Sequence, residues 1–173
     1  PLEETGGAVL EVNAAPGFRM HLAPTSGLPR NVAAPVIDKL FPKGSNGRIP
    51  IVAVSGTNGK TTTTRLIAHM AKMTGKRVGY TTTDGVYIQN RLLMKGDCTG
   101  PASAEFVLRD PTVNYAVLEC ARGGLLRAGL AFGKCDVGIV TNVAADHLGL
   151  KGIHTLEQLA KVKGVIPETV LPE

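Results

Sequence analysis

The sequence predicts an α/β domain built on a parallel sheet with helices on both faces, and three observations carry that expectation. Four apolar, β-branched runs, Ile49–Val54, Val78–Thr82, Tyr115–Glu119 and Asp136–Thr141, are separated by helical or loop crossovers long enough to join parallel strands. The first run passes through a glycine-rich turn, Ser55 to Thr61, straight into a helical pattern. Polar, chemistry-bearing residues then collect at the carboxyl ends of all four runs, where ligands of such sheets bind.

Composition agrees with one ordinary domain plus a fragment of another. The chain has 173 residues, 43% of them apolar, enough for a core, and its 21 glycines imply many tight turns. It begins at Pro1 and reads as a piece of something longer. The net charge of +5 invites a nucleic-acid reading, but Lys76–Arg77 is the only adjacent basic pair and aromatics are 4%, too few for stacking platforms. A binder of phosphorylated or acidic small molecules fits the charge better, with no nucleic-acid partner expected. Cys98, Cys120 and Cys135 are widely spaced and odd in number, as buried or free thiols of a reducing compartment would be. No apolar run approaches membrane-spanning length and no signal sequence is seen, so a cytoplasmic protein without a membrane partner is expected.

Residues 1–45 have a different texture from the rest. Ala8–Asn13 reads as a short strand that projects Glu11 and Asn13 from one face. Two such oxygens can share a hard cation, although spacing alone favours a solvated strand edge. Pro16, Gly17, Pro24, Gly27, Pro29 and Pro35 forbid long regular structure until Val32–Leu40 offers a short helix. Phe41–Gly47 reads as a linker, and the boundary is expected there.

The second part opens on the phosphate loop. Gly56 and Gly59 allow backbone conformations that turn successive amides inward around phosphate oxygens. Lys60 adds a mobile cation for the β and γ phosphates, and the Thr61 hydroxyl can complete the shell of a magnesium ion. Val54 stands where GxxxxGK[ST] has its first glycine, so the flanking strand and helix matter as much as the letters. ATP is the expected nucleotide, with Ser55 through Thr62 and Asn142 as its candidate contacts.

Leu66, Ile67, Met70 and Met73 form an apolar stripe expected to pack the following helix on the sheet, with His69 a surface or packed residue and Gly75 the stop. Asp84–Gly85 is expected to turn the chain after the second run. Val86–Ile88 and Leu92–Met94 suggest a small hairpin around Gln89–Arg91. Asp97–Pro101 reads as a loop and Ala102–Leu108 as a short helix. Glu119 ends its strand where such domains hold magnesium, or simply faces solvent. Cys120–Gly124 reads as a flexible loop whose Arg122 reaches an anionic substrate or water. Thr155 and Gln158 form a capping box for a helix ending near Ile166, with Lys161 and Lys163 in its later turns.

The combination SGTNGKTTT at 55–63, the acid-tipped strand at Glu119 and TNVAADHLG at 141–149 resembles the central, P-loop-type ATPase domain of the Mur ligase family, which joins amino acids by amide bonds. In that family the first Walker glycine is commonly replaced, so Val54 is no departure. The stretches Glu11–Leu40, GDCTGP at 96–101 and ECARGGLLRAGLA at 119–131 narrow the resemblance to a branch with an ATP-grasp domain fused ahead of the Mur-like ligase. That branch polymerises aspartate and arginine without a ribosome through an acyl phosphate.

The resemblance implies an ATP-grasp tail over 1–45, with Glu11 and Asn13 as metal ligands, and a truncated Mur-like central domain over 46–173. It implies Lys60, Glu119, His147 and Lys163 as catalytic residues, with Thr61, Glu119 and His147 on magnesium and Thr99, Pro101 and Arg122 on substrate. Lys163, with Lys161 next in line, matches the place of a carbamylated lysine that bridges a second metal. An amino-acid or peptide substrate and a homo-oligomeric full-length parent are also implied. Other Mur-type substrates, a β-aspartyl-arginine dipeptide or a cell-wall precursor, remain alternatives, as does an ATP-binding module without catalysis. Neither half would be complete, so these residues are expected to bind Mg-ATP without ligating.

Overall fold

The computed structural model describes all residues except 1–3, 5, 8–10, 146, 147, 150, 151 and 173. It divides into two compact units, Pro1–Arg48 and Ile49–Glu173.

The first unit is short on packing. It contains α1 (Arg19–Leu22) and α2 (Ala33–Leu40), and among its described residues none is buried. The proline and glycine spacing keeps both helices short. Of the strand expected over Ala8–Asn13, residues 8–10 lie outside the described set, and Glu11, Val12 and Asn13 join no sheet. Glu11 and Asn13 nonetheless lie side by side, the Asn13 amide donating to Glu11 Oε1 at 2.8 Å on an exposed surface.

The second unit is the α/β domain. Among the described residues six strands form one sheet, β1 (Ile51–Ser55), β2 (Val78–Thr82), β3 (Gly85–Ile88), β4 (Arg91–Lys95), β5 (Tyr115–Glu119) and β6 (Val137–Val140), in the order β4-β3-β2-β5-β1-β6. The strands β2, β5, β1 and β6 run parallel. The sheet is mixed rather than wholly parallel, because the hairpin expected from the sequence extends it with β3 and β4, both antiparallel to their neighbours. The turn between those two strands is Gln89–Asn90 with φ of 52° and 68°, the left-handed pair that lets a two-residue hairpin follow the strand twist.

Helix α3 (Lys60–Met73) covers one face of the sheet, over Val52, Val54, Val78, Tyr80 and Val117. Helices α4 (Pro101–Arg109) and α6 (Leu156–Glu168) serve the other, where Ala53, Leu118, Val107, Cys135 and Ile166 meet. The inward residues of α3 are Thr64, Ala68 and Ala71. Of the stripe expected to face the sheet, Ile67 is half-buried and packs against this cluster, whereas Leu66, Met70 and Met73 are 58%, 58% and 74% exposed. A helix entered directly from a loop gripping the end of β1 runs close above the sheet, so small side chains take its fully buried positions and Ile67 is only partly covered. The expected loop at Cys120–Gly124 is also corrected, since α5 (Arg122–Ala128) begins inside it. The capping box of α6 forms, with the Gln158 N–H donating to Thr155 Oγ1 at 3.2 Å. No helix of the described residues is long and apolar enough to cross a membrane.

Candidate active site

The site lies at the carboxyl ends of the parallel strands, and β1 supplies its centre. Just past Ser55, Gly56 takes φ +141° with no room for a side chain, because a Cβ there would run into Thr141 Oγ1. Gly59, at φ +83°, then delivers the chain into α3, whose first turn has neither a side-chain cap nor an acid. The amides of that turn, together with those of the loop, make a site for an anion.

Residues after β6 stitch the loop in place. Asn142 holds it from both sides of its amide, accepting from the Asn58 N–H at 3.1 Å and donating to the Asn58 carbonyl at 3.0 Å. The Asn142 carbonyl accepts from the Thr57 N–H at 2.9 Å, Thr141 Oγ1 donates to the Asn58 carbonyl at 2.6 Å, and the Ala144 N–H donates to Thr57 Oγ1 at 3.0 Å. The Asn142 side chain is therefore committed to the loop. Ser55 is committed too, its hydroxyl donating to the Cys120 carbonyl at 2.8 Å. Thr62 is exposed on the first turn of α3.

Glu119 tips β5, the neighbour of β1, and is only 2% exposed. Its Oε2 accepts from Thr61 Oγ1 at 2.9 Å and from the Thr83 N–H at 3.3 Å. Its Oε1 is buried and has no hydrogen-bond partner. Burial pushes the carboxyl up from its ordinary value, outweighing the Thr61 bond and the charge of Lys60. A buried carboxylate oxygen left bare beside a hydroxyl is costly unless something cationic meets it. Thr61 and Glu119 thus fit a hard, oxygen-seeking divalent ion of the magnesium kind.

Three cations face the same cleft, of about 180 Å³, lined by Gly56, Thr57, Lys60, Arg122, Leu159 and Lys163. Lys60 Nζ folds back to donate to the Thr57 carbonyl at 2.9 Å. Lys163, 3% exposed, donates to the Gly56 carbonyl at 2.7 Å. Burial, with Lys60 and Arg122 adding like charge, pushes its ammonium down to about 8. Lys161 is exposed. Thr99 is buried, its N–H and Oγ1 both donating to Asp97 Oδ1, at 3.2 and 2.7 Å. Its carbonyl accepts from the Ala121 N–H at 3.3 Å, which draws Thr99 and Pro101, the first residue of α4, up to the end of β5.

The structure thus gathers Gly56–Thr61, Glu119, Asn142, Arg122, Lys163 and Thr99 at one end of the sheet. His147 lies outside the described residues, and Glu11 and Asn13 belong to the other unit. Among the described residues no three His, Cys, Asp or Glu side chains cluster as metal ligands would. Sequence reasoning placed Thr83 at a strand end but did not single it out. Its only signal was that position.

Residues 54–173 match the family model described as the Mur ligase middle domain. The chain belongs to the Mur ligase family. Within it, the chain is 69% identical over 172 residues to the cyanophycin synthetase of Synechocystis sp., covering 99% of this chain and 20% of that protein. It is 32% identical over 126 residues to the UDP-N-acetylmuramoyl-L-alanyl-D-glutamate–2,6-diaminopimelate ligase of Geobacillus thermodenitrificans, covering 69% of this chain and 25% of that one. A solved structure with the same ligase title superposes with a TM-score of 0.50 at 31% identity, over 66% of this chain and 23% of its own. The chain spans about a fifth of the length of its cyanophycin synthetase relatives.

Proposed function

We propose that this Mur ligase middle domain is the nucleotide-binding part of an ATP-dependent amide ligase of the cyanophycin synthetase type, which joins aspartate and arginine into a polymer. One observation supports this most: the bare, buried Oε1 of Glu119 beside Thr61, at the strand end next to a loop shaped for an anion.

In this reading the amides of 56–61 and Lys60 hold the triphosphate of ATP. Thr61 and Glu119 would hold magnesium, and His147 would serve a second ion; bound metal supplies charge neutralisation at the phosphates. Lys163, with an amine that is neutral in good part near pH 8, suits capture of carbon dioxide as a carbamate, whereas Lys161 is exposed. Arg122, Thr99 and Pro101 would receive an amino-acid or peptide substrate. Its carboxylate attacks the γ phosphate to give an acyl phosphate and ADP, and an amine displaces phosphate to form the amide. The protein's share is positioning and neutralisation of charge rather than covalent help.

Residues 1–45 are the tail of an ATP-grasp domain in this scheme, with Glu11 and Asn13 as its metal ligands. The full-length parent is a homo-oligomer. A reducing cytoplasm suits Cys98, Cys120 and Cys135, all buried and free.

In the full-length parent, Glu119→Ala is expected to abolish amide formation while circular dichroism reports an unchanged fold. Undiminished ligation by that variant would end the proposal.

A further inference from the structure

We infer that Asn142 is a positioning residue for the triphosphate, acting through the Asn58–Gly59 peptide of the loop and not by touching the nucleotide. This rests on the ATP reading above and narrows it.

The phosphate loop turns on two glycines, Gly56 at φ +141° and Gly59 at φ +83°. Glycine backbone rotates with little steric hindrance, so Thr57 and Asn58 between them would swing like a crank unless something outside the loop held them. The hold comes from the chain leaving β6. The primary amide of Asn142 carries an acceptor and a donor on one planar group, as a peptide unit does. It pairs with Asn58 as a neighbouring strand would, Oδ1 accepting from the Asn58 N–H at 3.1 Å and Nδ2 donating to the Asn58 carbonyl at 3.0 Å. Thr141 Oγ1 donates to the same carbonyl at 2.6 Å.

These bonds sort the loop amides into two sets. The N–H groups of Thr57 and Asn58 are already donated, to the Asn142 carbonyl and Oδ1, and have no proton left for a phosphate oxygen. Those of Gly59, Lys60, Thr61 and Thr62 precede the first bond of α3, which the Thr63 N–H makes to the Gly59 carbonyl at 2.9 Å, so the helix itself offers them no acceptor. Gly59 is the first of this second set, and its direction is set by its neighbour. The Asn58–Gly59 peptide is trans, and in a planar trans unit the C=O and the N–H point opposite ways. By holding the Asn58 carbonyl on the β6 side, Asn142 and Thr141 turn the Gly59 N–H to the other side, where it joins the amides of the first turn of α3 around an anion.

The test is a calorimetric titration of the protein, at one fixed saturating magnesium concentration, with two ligands: a non-hydrolysable ATP analogue and inorganic tripolyphosphate, which has no adenosine. Asn142→Ala removes both side-chain bonds to Asn58 and keeps the main-chain bond to Thr57. It is expected to raise the dissociation constants of both ligands by the same factor, roughly tenfold for two lost hydrogen bonds, with the number of sites per chain unchanged. Thr141→Val removes one donor to the same carbonyl at nearly constant shape, and is expected to weaken both ligands by roughly threefold. If Asn142→Ala does not fold, Thr141→Val decides by the same criteria. Unchanged dissociation constants overturn the inference. So does a loss confined to the ATP analogue, which would put Asn142 on the adenosine. A fall in the number of sites with unchanged dissociation constants also overturns it, being what a merely structural role predicts. If the unmodified protein binds neither ligand, the nucleotide reading itself falls, and this inference with it.

Discussion

At Lys163 the register of α6 and the chemistry of the cleft pull in opposite directions. Leu159, Lys163 and Ile166 occupy i, i+4 and i+7 of the helix, and all three are buried. A leucine at 163 would serve packing better, because an ammonium in that place must give up water for one carbonyl and two cationic neighbours. Its folded value near 8 lies below the 10.5 of the free side chain, so between those limits the unfolded chain holds a proton that the folded chain has released. Stability therefore rises with pH from about 8 to 10.5, while below that window the cost of burying the charge is borne in full. Comparing thermal unfolding of the unmodified protein with Lys163→Met isolates this. The stability difference should shift in favour of the lysine protein by on the order of 3 kcal/mol between pH 7.5 and 10.5, and a flat difference would contradict the assignment. Lys163 was legible in the sequence only through resemblance, since nothing in its spacing separates a buried lysine from the exposed Lys161 two residues earlier.

Among the elements, α3 shows what periodicity can and cannot tell. Leu66, Met70 and Met73 follow helical spacing as well as Thr64, Ala68 and Ala71 do, so the pattern found the helix but not its inner face. Closeness to the sheet decided it, in favour of the small residues. Leu66→Ala is accordingly expected to cost less than about 0.5 kcal/mol in chemical denaturation, and Ala68→Leu about 1–3 kcal/mol through overpacking. The reverse order would restore the stripe to the core. Strand positions were easier to read: β2 and β5 begin and end where their apolar runs do. The hairpin was signalled by the short apolar runs on either side of Gln89–Arg91, and Asn90 tolerates the left-handed turn that joins them. Helix α5 was hidden because Gly123 and Gly124 read as flexibility. In the fold Gly124 buys proximity instead, since a Cβ there would sit 2.9 Å from the Gly100 Cα. That contact lets the loop before α4 approach the start of α5.

For the molecule as a whole, the described residues divide unevenly. All buried side chains belong to Ile49–Glu173, and none to the first unit. The α/β unit was legible because burial on both faces of its parallel strands leaves a strong apolar signature; the first unit, with little to bury, leaves only punctuation by proline and glycine. The nucleotide loop could be read letter by letter, since the chemistry lies in consecutive residues. The Thr61–Glu119–Thr83 contacts join the first turn of α3, the tip of β5 and the residue after β2, and needed coordinates. From these residues alone, Mg-ATP binding without ligation is the expected behaviour. ADP release from ATP, measured with and without arginine, should show no arginine-dependent increase, and a clear increase would place the whole reaction inside this chain.

The grip of Asn142 on Asn58 has a consequence for any nucleotide the loop receives. Two loops leaving neighbouring strands and joined by hydrogen bonds in both directions cannot shift independently. Any rearrangement of the loop around a nucleotide is felt at the strand next door, and restraint of that strand alters nucleotide affinity by the same free energy. The segment that leaves β6 at Thr141 and Asn142 is thereby a lever on the nucleotide loop.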